Sequence, residues 1–176
     1  MNTTITIETA PPDMWKEVLS VTMESYREYE SQSNPEFWTN YQKSIERSLL
    51  VDDQPERIVA RLGSTILGAV LYCPPYERKM GNAIVKNPFP EMRLLAVPPR
   101  SRNRGIGAKL IDYCEEKARA SGSPTITLHT TVLMQTAKQM YERRGYKRFK
   151  EIDCRGLPKV ARLSERDDEQ GARSSC

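Results

Sequence analysis

The sequence of 176 residues contains a single histidine and no long apolar run. None of its apolar stretches approaches the roughly 18–20 residues that are needed to cross a membrane. The first ten residues also lack the basic segment and apolar core of a signal peptide. We therefore expect a cytoplasmic protein of one main domain, with no membrane partner.

The cysteines and the lone histidine argue against a zinc site. Cys73, Cys114, Cys154 and Cys176 form no C-x-x-C pair, and His129 has no second histidine to join it. We predict no metal ion and reduced thiols. The formal charge of +4 is mild, so it does not predict a nucleic-acid partner.

Hydrophobic periodicity predicts an α/β (α+β) chain with the order β-α-α-β-β-β-α-β-α-β and a short last strand. Asp13 is a plausible cap for the first helix, and Ser33 or Asn34 for the second. Residues 74–90 are rich in turn-forming residues and predict a long connection, either functional or an ordinary surface loop. The predicted strands cover 3–9, 57–60, 66–72, 91–97, 125–130, 146–152 and 160–163, and the helices 13–30, 35–49, 105–120 and 135–144.

The most informative stretch covers residues 91–110, where a strand is followed by a loop and a helix that starts at Gly105 and Gly107. The first turn of a helix leaves backbone amides without partners, and such amides bind phosphate oxygens. Three arginines, at 100, 102 and 104, add positive charge there. The alternative is an ordinary helix start with solvated arginines. A dinucleotide fingerprint would need a glycine where Leu110 stands, and no Gly-Lys-Ser/Thr of a P-loop follows.

Two motifs in this sequence resemble those of the GCN5-related N-acetyltransferase (GNAT) superfamily. The first is the R-x-x-G-x-G pattern after an L-A-V strand, and the second is A-x-x-x-Y-E-x-x-G-Y. The matching residues are Arg102, Gly105 and Gly107, followed by Ala137, Tyr141, Glu142, Gly145 and Tyr146. The resemblance implies a GNAT domain over residues 1–163. It also implies a mixed six- to seven-stranded sheet flanked by about four helices, with strands splayed at the acetyl-CoA site. The polar composition of residues 164–176 predicts a disordered tail.

The resemblance also implies acetyl-CoA as co-substrate and locates its binding residues. Backbone groups around Leu95 and Val97 would pair with the pantetheine arm, and the Val97 amide would donate to the thioester carbonyl. Amides from residue 102 to 108 would hold the pyrophosphate. The implied cofactor-binding residues are Leu95, Ala96, Val97, Arg102, Asn103, Arg104, Gly105, Ile106, Gly107 and Ala108.

Tyr141 matches the usual general acid of the family, and Glu91 is the candidate base. The alternatives are that Tyr141 only packs on its helix and that Glu91 is a surface carboxylate at a strand end. If Arg93, on the same strand face, paired with Glu91, it would make Glu91 a weaker base. We interpret His129 as a packed strand residue. Cys114 lies on an apolar helix face, which is consistent with direct acetyl transfer.

The acceptor is the least determined part of the prediction. The first helices and the 74–90 loop offer aromatic residues and carboxylates that would suit a cationic amine, or that belong to the core and to a solvated face. These residues are Tyr26, Tyr29, Trp38, Tyr41, Tyr76 and Phe89, with Glu24, Glu28 and Glu30. Met134 stands where many family members have an asparagine. We predict acetylation of a small primary amine by direct attack. The alternatives are a protein N-terminal or lysine acetyltransferase and a non-catalytic acyl-CoA-binding regulatory module. A homodimer is compatible with the sequence.

Overall fold

The protein is built around one mixed sheet with helices on both faces. A computed structural model describes residues 4–80, 82–130, 134–148 and 159–163. The strands are β1 (Thr6–Thr9), β2 (Glu56–Leu62), β3 (Thr65–Cys73), β4 (Tyr76–Met80), β5 (Ala83–Asn87), β6 (Glu91–Ala96), β7 (Thr127–Thr130), β8 (Tyr146–Arg148) and β9 (Lys159–Leu163). The α-helices are α1 (Trp15–Tyr26), α2 (Pro35–Leu50), α3 (Ile106–Ala120) and α4 (Gln135–Arg143).

Seven strands form the main sheet in the order β1-β2-β3-β6-β7-β9-β8. Its pairs are antiparallel except for β6 and β7, which run parallel. Helix α3 connects β6 to β7, because parallel neighbours need a crossover. The predicted mixed sheet with four helices is therefore confirmed. Strand β9 lies between β7 and β8 and ends at Leu163. The predicted tail at 164–176 lies outside the described residues.

The prediction of a strandless connection at 74–90 is wrong. Strands β4 and β5 form a separate antiparallel hairpin there, from the pair Tyr76↔Asn87 to the pair Met80↔Ala83. The prolines of this segment stand at 74, 75, 88 and 90, outside both strands. They bound the hairpin and remove no donor from it, so their number misled the sequence interpretation.

The first two helices begin differently from each other. Asp13 lies in a 3-10 turn (Pro12–Met14) and caps nothing, because α1 begins after Met14 without a side-chain cap. Asn34 is the cap of α2, and its side chain accepts hydrogen bonds from the amides of Glu36 and Phe37. A further 3-10 turn, Arg27–Gln32, connects the two helices.

Alternate residues of the central strands supply two apolar cores, one on each face of the sheet. On one face, Ile58 packs with the buried residues of α3 and with Tyr141 of α4. On the other, Val59 and Leu71 pack with α1 and α2. Each face of the sheet is therefore covered by its own pair of helices, α3 and α4 on one face and α1 and α2 on the other.

Arg57 joins α2 to the sheet and is 2 % exposed. Its guanidinium donates to the carbonyls of Leu49 and Ser48 at 3.1 Å and of Pro55 at 2.5 Å, and also to that of Asp52. These carbonyls lie at the C-terminal end of α2 and just beyond it, where helix carbonyls lack partners. One buried cation therefore fixes the end of α2. The sequence pattern, which marked Arg57 only as the start of a strand, carried no signal of this.

Gly68 allows β3 to approach the end of β6 and the start of α3. A Cβ atom built on Gly68 would lie 2.9 Å from the carbonyl oxygen of Ala96, 2.9 Å from Cγ2 of Ile106 and 3.3 Å from Cγ2 of Val97. The first of these atoms belongs to the backbone and has no rotamer by which to move away. Glycine is therefore required for the position of the loop that follows β6.

We predict that Gly68→Ala lowers the free energy of unfolding by about 1–3 kcal/mol, because it overpacks a closed core. Gly107→Ala is the matched control, since a Cβ there meets nothing closer than 3.8 Å. The control should leave stability unchanged or raise it, because alanine favours a helix more than glycine does. Urea unfolding of both variants measures this. Equal stability of the two variants would contradict the packing argument.

Candidate active site

The parallel strands β6 and β7 part after two paired positions. Glu91 pairs with Thr127 and Met92 with Leu128, and no further pairing follows along either strand within the described residues. The register between β3 and β6 shifts between Ala69 and Leu71. One extra residue in β6 accounts for the shift, and it forms a bulge where Leu94 has φ of +52°. The expected splay is therefore present, and it starts beside Glu91.

The loop after β6 presents backbone amides to solvent. Asn103 and Gly105 have φ of +60° and +70°, and no side chain caps α3. Within the described residues, the amides of 103–108 and of Val97 have no hydrogen-bond acceptor, whereas the amide of Arg102 bonds to a carbonyl of its own turn. Consecutive free amides at a helix start, together with the helix dipole, form an anion site.

Two of the three loop arginines brace the loop. Arg100 Nε lies 3.1 Å from Glu24 Oε1. Arg102 bonds both carboxylate oxygens of Glu28, at 2.8 and 3.0 Å, and its Nε donates to the Val97 carbonyl at 3.0 Å. Glu24 and Glu28 are thus already ion-paired. They do not remain as free carboxylates for a cationic amine, as one sequence-based interpretation required.

Tyr141 is the buried residue of α4 and is 7 % exposed. Its ring centroid lies 5.6 Å from that of Tyr146. Burial raises the pKa of the Tyr141 phenol, and Tyr29 and Cys114 add to the rise. The phenol therefore keeps its proton at neutral pH, which a proton donor requires. The packing alternative and the general-acid prediction are compatible, since a packed ring still presents its hydroxyl group.

Helix α4 lies against the start of α3. A Cβ built on Gly107 would be 3.8 Å from Met140 Sδ. Tyr141 follows Met140 in the chain, so α4 carries the phenol on a helix that lies beside the start of α3. A buried network fixes α3 to the segment that follows α4: Glu115 Oε1 accepts from Tyr146 Oη at 3.1 Å and from Arg144 Nη2 at 3.3 Å.

Glu91 lies fully buried, so the interpretation of a surface carboxylate is wrong. Its Oε1 contacts Nδ1 of His129 on β7. His129 follows Leu128, the last residue that pairs with β6, and its side chain is 24 % exposed. The sequence analysis missed this contact because it depends on the register of two strands that are about 36 residues apart in the chain.

Arg93 carries a positive charge on the face of β6 that is covered by α1 and α2, and its side chain is hydrogen-bonded to Cys73. It pairs across the sheet with Leu71, whose side chain packs with those helices. None of the ion pairs among the described residues involves Arg93, so the suggested pairing with Glu91 does not form. Burial lowers the pKa of Arg93, but Cys73, Glu91 and Tyr76 raise it by more, so the guanidinium stays charged.

Aromatic rings line the same face. Tyr26 lies 5.7 Å from Tyr29 and 6.1 Å from Tyr41, between ring centroids. Burial raises the pKa of all three phenols, and that of Tyr41 to about 12. The interpretation of Tyr26 and Trp38 as core residues is confirmed, because both are buried.

No described cysteine is suited to act as a nucleophile. Cys73 and Cys114 are buried free thiols, and burial raises the pKa of each to about 12. The thiolate, which is the reactive form, is therefore scarce at neutral pH. Within the described ranges, no group of three or more potential ligand side chains is arranged to hold a metal ion.

A cavity of ≈ 740 Å³ opens at the other end of α3, away from the free amides. Its lining includes Pro74, Pro90, Pro124 and Phe89, with Lys117 in an ion pair to Glu56 at 3.1 Å. None of the predicted catalytic or cofactor-binding residues lines this cavity, and of the candidates for the acceptor side only Phe89 does. Its volume alone gives no reason to move the candidate site.

No helix among the described residues is both long and apolar enough to cross a membrane.

Solved structures share this architecture at low sequence identity. The PaiA N-acetyltransferase from Thermoplasma acidophilum, in complex with coenzyme A, is 17% identical, with 92% of this chain and 99% of that chain covered at a TM-score of 0.67. A GNAT family acetyltransferase from Staphylococcus aureus Mu50 is 15% identical, covering 93% and 100% at 0.66. One from Brucella melitensis, in complex with acetyl-CoA, is 21% identical, covering 92% and 88% at 0.64. These similarities show the fold.

No curated protein matches the sequence significantly. The model of the acetyltransferase (GNAT) family, however, matches residues 15–146. The match includes the splayed strands, the free amides of α3 and the tyrosine of α4. It shows that this chain belongs to the acetyltransferase (GNAT) family, and membership implies acyl transfer.

Proposed function

We propose that the protein is an acetyl-CoA-dependent N-acetyltransferase that moves an acetyl group to the primary amine of a small molecule by direct attack. The observation that carries this proposal is the row of acceptor-free amides at 103–108, together with the acceptor-free amide of Val97 beside the parted strands. The coenzyme A and acetyl-CoA in the similar Thermoplasma and Brucella structures support it.

In this proposal the chain binds acetyl-CoA through its backbone. The amides of 103–108 hold the pyrophosphate, and the braced positions of Arg100 and Arg102 keep the loop in place. Arg102 itself contributes as a brace, because its amide is engaged within its own turn. Arg104 is in none of the ion pairs of the described residues and is the cation best suited to a phosphate.

The chemical step needs a stabilised oxygen and a protonated leaving group. The Val97 amide donates to the thioester oxygen, where negative charge grows as the amine nitrogen attacks the carbonyl carbon. One preorganised donor of this kind contributes roughly 3–4 kcal/mol to a transition state. Tyr141 gives its proton to the sulfur as the C–S bond breaks. Since neither described thiol is reactive, no acetyl-cysteine intermediate is required.

The charge on the acceptor side favours a particular kind of amine. Arg93 is a cation there that takes part in no ion pair of the described residues, and the rings of Tyr26 and Tyr41 lie on the same face. An amine that also carries a carboxylate would pair with Arg93 and would neutralise the charge. This favours a small acceptor over the alternatives of a protein amine or of a non-catalytic acyl-CoA-binding module.

Acetyl-CoA should raise the melting temperature, because a ligand of the native state stabilises it by about 2.7 kcal/mol at a hundred times its Kd. A panel of primary amines should then release free coenzyme A thiol. Absence of any thermal shift at millimolar acetyl-CoA would contradict the whole proposal. A shift without thiol release from any small amine or peptide would favour the binding module.

Tyr141→Phe should lower kcat by about 10²–10⁴-fold, the usual contribution of a general acid, while the Kd for acetyl-CoA stays nearly unchanged. Tyr146→Phe is the matched control: it removes a neighbouring buried hydroxyl group, which bonds only to Glu115 among the described residues. Steady-state kinetics and calorimetric titration measure the two effects. Wild-type activity in Tyr141→Phe, or an equal loss in the control, would remove Tyr141 from the mechanism.

Arg93 should set a preference between acceptor pairs that differ by one carboxylate, such as ornithine and putrescine. A hydrogen bond to a charged group contributes about 1.5–3 kcal/mol, so kcat/KM should favour ornithine by roughly 10- to 100-fold. Arg93→Gln should abolish the preference, and Arg100→Gln should retain it. Equal rates with both amines in the wild type would exclude an anion subsite at Arg93.

A further inference from the structure

The candidate base, Glu91, is enclosed by the fold. Its side chain has no exposed surface. Neither carboxylate oxygen receives a hydrogen bond of regular geometry from the described residues, and Nδ1 of His129 is the one basic side-chain atom in contact with it there. A carboxylate in this position cannot reach an incoming amine, because other protein atoms cover both oxygens. If Glu91 assists proton removal, another group must make the contact with the amine.

His129 has the placement that Glu91 lacks. It is the first residue of β7 beyond the part paired with β6, so it lies where the strands begin to diverge. Its side chain is partly exposed, whereas Glu91 is covered. Nδ1 faces Glu91, and the imidazole ring carries Nε2 on its opposite edge. The ring therefore connects the enclosed carboxylate with the opening between the strands.

We propose that Glu91 and His129 form one proton-accepting unit, in which Nε2 of His129 is the atom that takes the proton. This inference rests on the proposed acetyl transfer to an amine. Glu91 accepts the Nδ1–H hydrogen and so keeps the lone pair on Nε2. The ammonium group of the acceptor gives one proton to Nε2, and its nitrogen then attacks the thioester. The second proton that this nitrogen loses replaces the proton that Tyr141 gives to the sulfur. Glu91 offsets the charge of the imidazolium ion, and the proton passes to water after the product leaves.

The groups beside this pair come from the neighbouring strands and from β6 itself. Cys73 pairs with Glu91 across the sheet, and burial raises the pKa of its thiol to about 12. Arg93, two residues along β6, stays charged. On the other side of β7, Val160 of β9 stands at the register position of His129. The described neighbours of the pair on β3 and β6 are therefore one thiol and one guanidinium, and a second carboxylate, Asp52, acts on that thiol.

The first test needs no acceptor, because His129 is the only histidine in the chain. A long-range ¹H–¹⁵N spectrum of protein labelled at histidine shows a single imidazole and reports which nitrogen carries hydrogen. We expect the neutral ring to carry hydrogen on Nδ1. A ring with hydrogen on Nε2 would overturn the proposal. This result is independent of whether any amine is acetylated, so it separates the unit from the proposed function.

The second test is a double-mutant cycle with the acceptor that gives the fastest thiol release. His129→Gln and Glu91→Gln should each lower kcat by about 10²–10⁴-fold, and the double variant should lose no more than the worse single variant, because the residues act as a unit. Glu56→Gln is the control, since it removes a carboxylate of the same sheet that pairs with Lys117 near the other end of α3, and it should keep kcat. Additive losses would overturn the proposal.

A pH profile separates a proton acceptor from a structural role. The loss of kcat in His129→Gln, relative to the wild type, should become smaller as the pH approaches the pKa of the acceptor's ammonium group. The amine then arrives already unprotonated and needs no proton acceptor. A defect that is constant with pH would show that His129 only supports the fold and would overturn the proposal. If the wild type acetylates no amine at all, the proposed function fails, and the spectrum of the lone imidazole still decides the pairing.

Discussion

The parting of β6 from β7 is the constraint on which the rest of the site depends. Two parallel strands that stayed paired would satisfy each other's amides and carbonyls and would leave no opening. The extra residue in β6 near Leu94 prevents this. Gly68 lets β3 stay close to the same strand end, so the bulge opens toward β7 and not toward β3. The amide of Val97 is left without an acceptor as a result.

Around this opening the protein uses its charges in two ways. Exposed pairs, such as Arg102 with Glu28, brace the loop; pairs of this kind contribute at most about 1 kcal/mol each to stability, so their value lies in orientation. The buried charges, in contrast, are each in contact with a polar partner. Arg57 is covered by backbone carbonyls, and Glu91 is held against His129. A buried carboxylate without a partner would be costly, so the contact of Glu91 is a condition of its burial.

Much of this architecture could be predicted from the sequence. Local signals sufficed for the four helices, for the cap at Asn34 and for the glycines that begin α3, because helical periodicity and capping involve residues within one or two turns. The two motifs located the family. The hairpin at 76–87 was missed because the flanking prolines outweighed a short alternation.

The remaining features could not be predicted because they depend on contacts between distant elements. The place of His129 beside Glu91 follows from strand register, the role of Arg57 from the end of a helix eight residues before it, and the ion pairs of Glu24 and Glu28 from how α1 lies against the loop. Sequence spacing contains none of these. One of the two interpretations of the acceptor side relied on free carboxylates, whereas Glu24 and Glu28 are ion-paired and Arg93 adds a positive charge there.

The central claim is that acetyl-CoA binds between the parted strands with its pyrophosphate on the amides of 103–108. A crystal structure of the protein with acetyl-CoA tests it most directly. The account predicts the pyrophosphate oxygens within about 2.7–3.2 Å of these amide nitrogens, with the thioester oxygen on the Val97 amide. Acetyl-CoA bound elsewhere, for instance in the proline-lined cavity at the far end of α3, with these amides unoccupied, would contradict it.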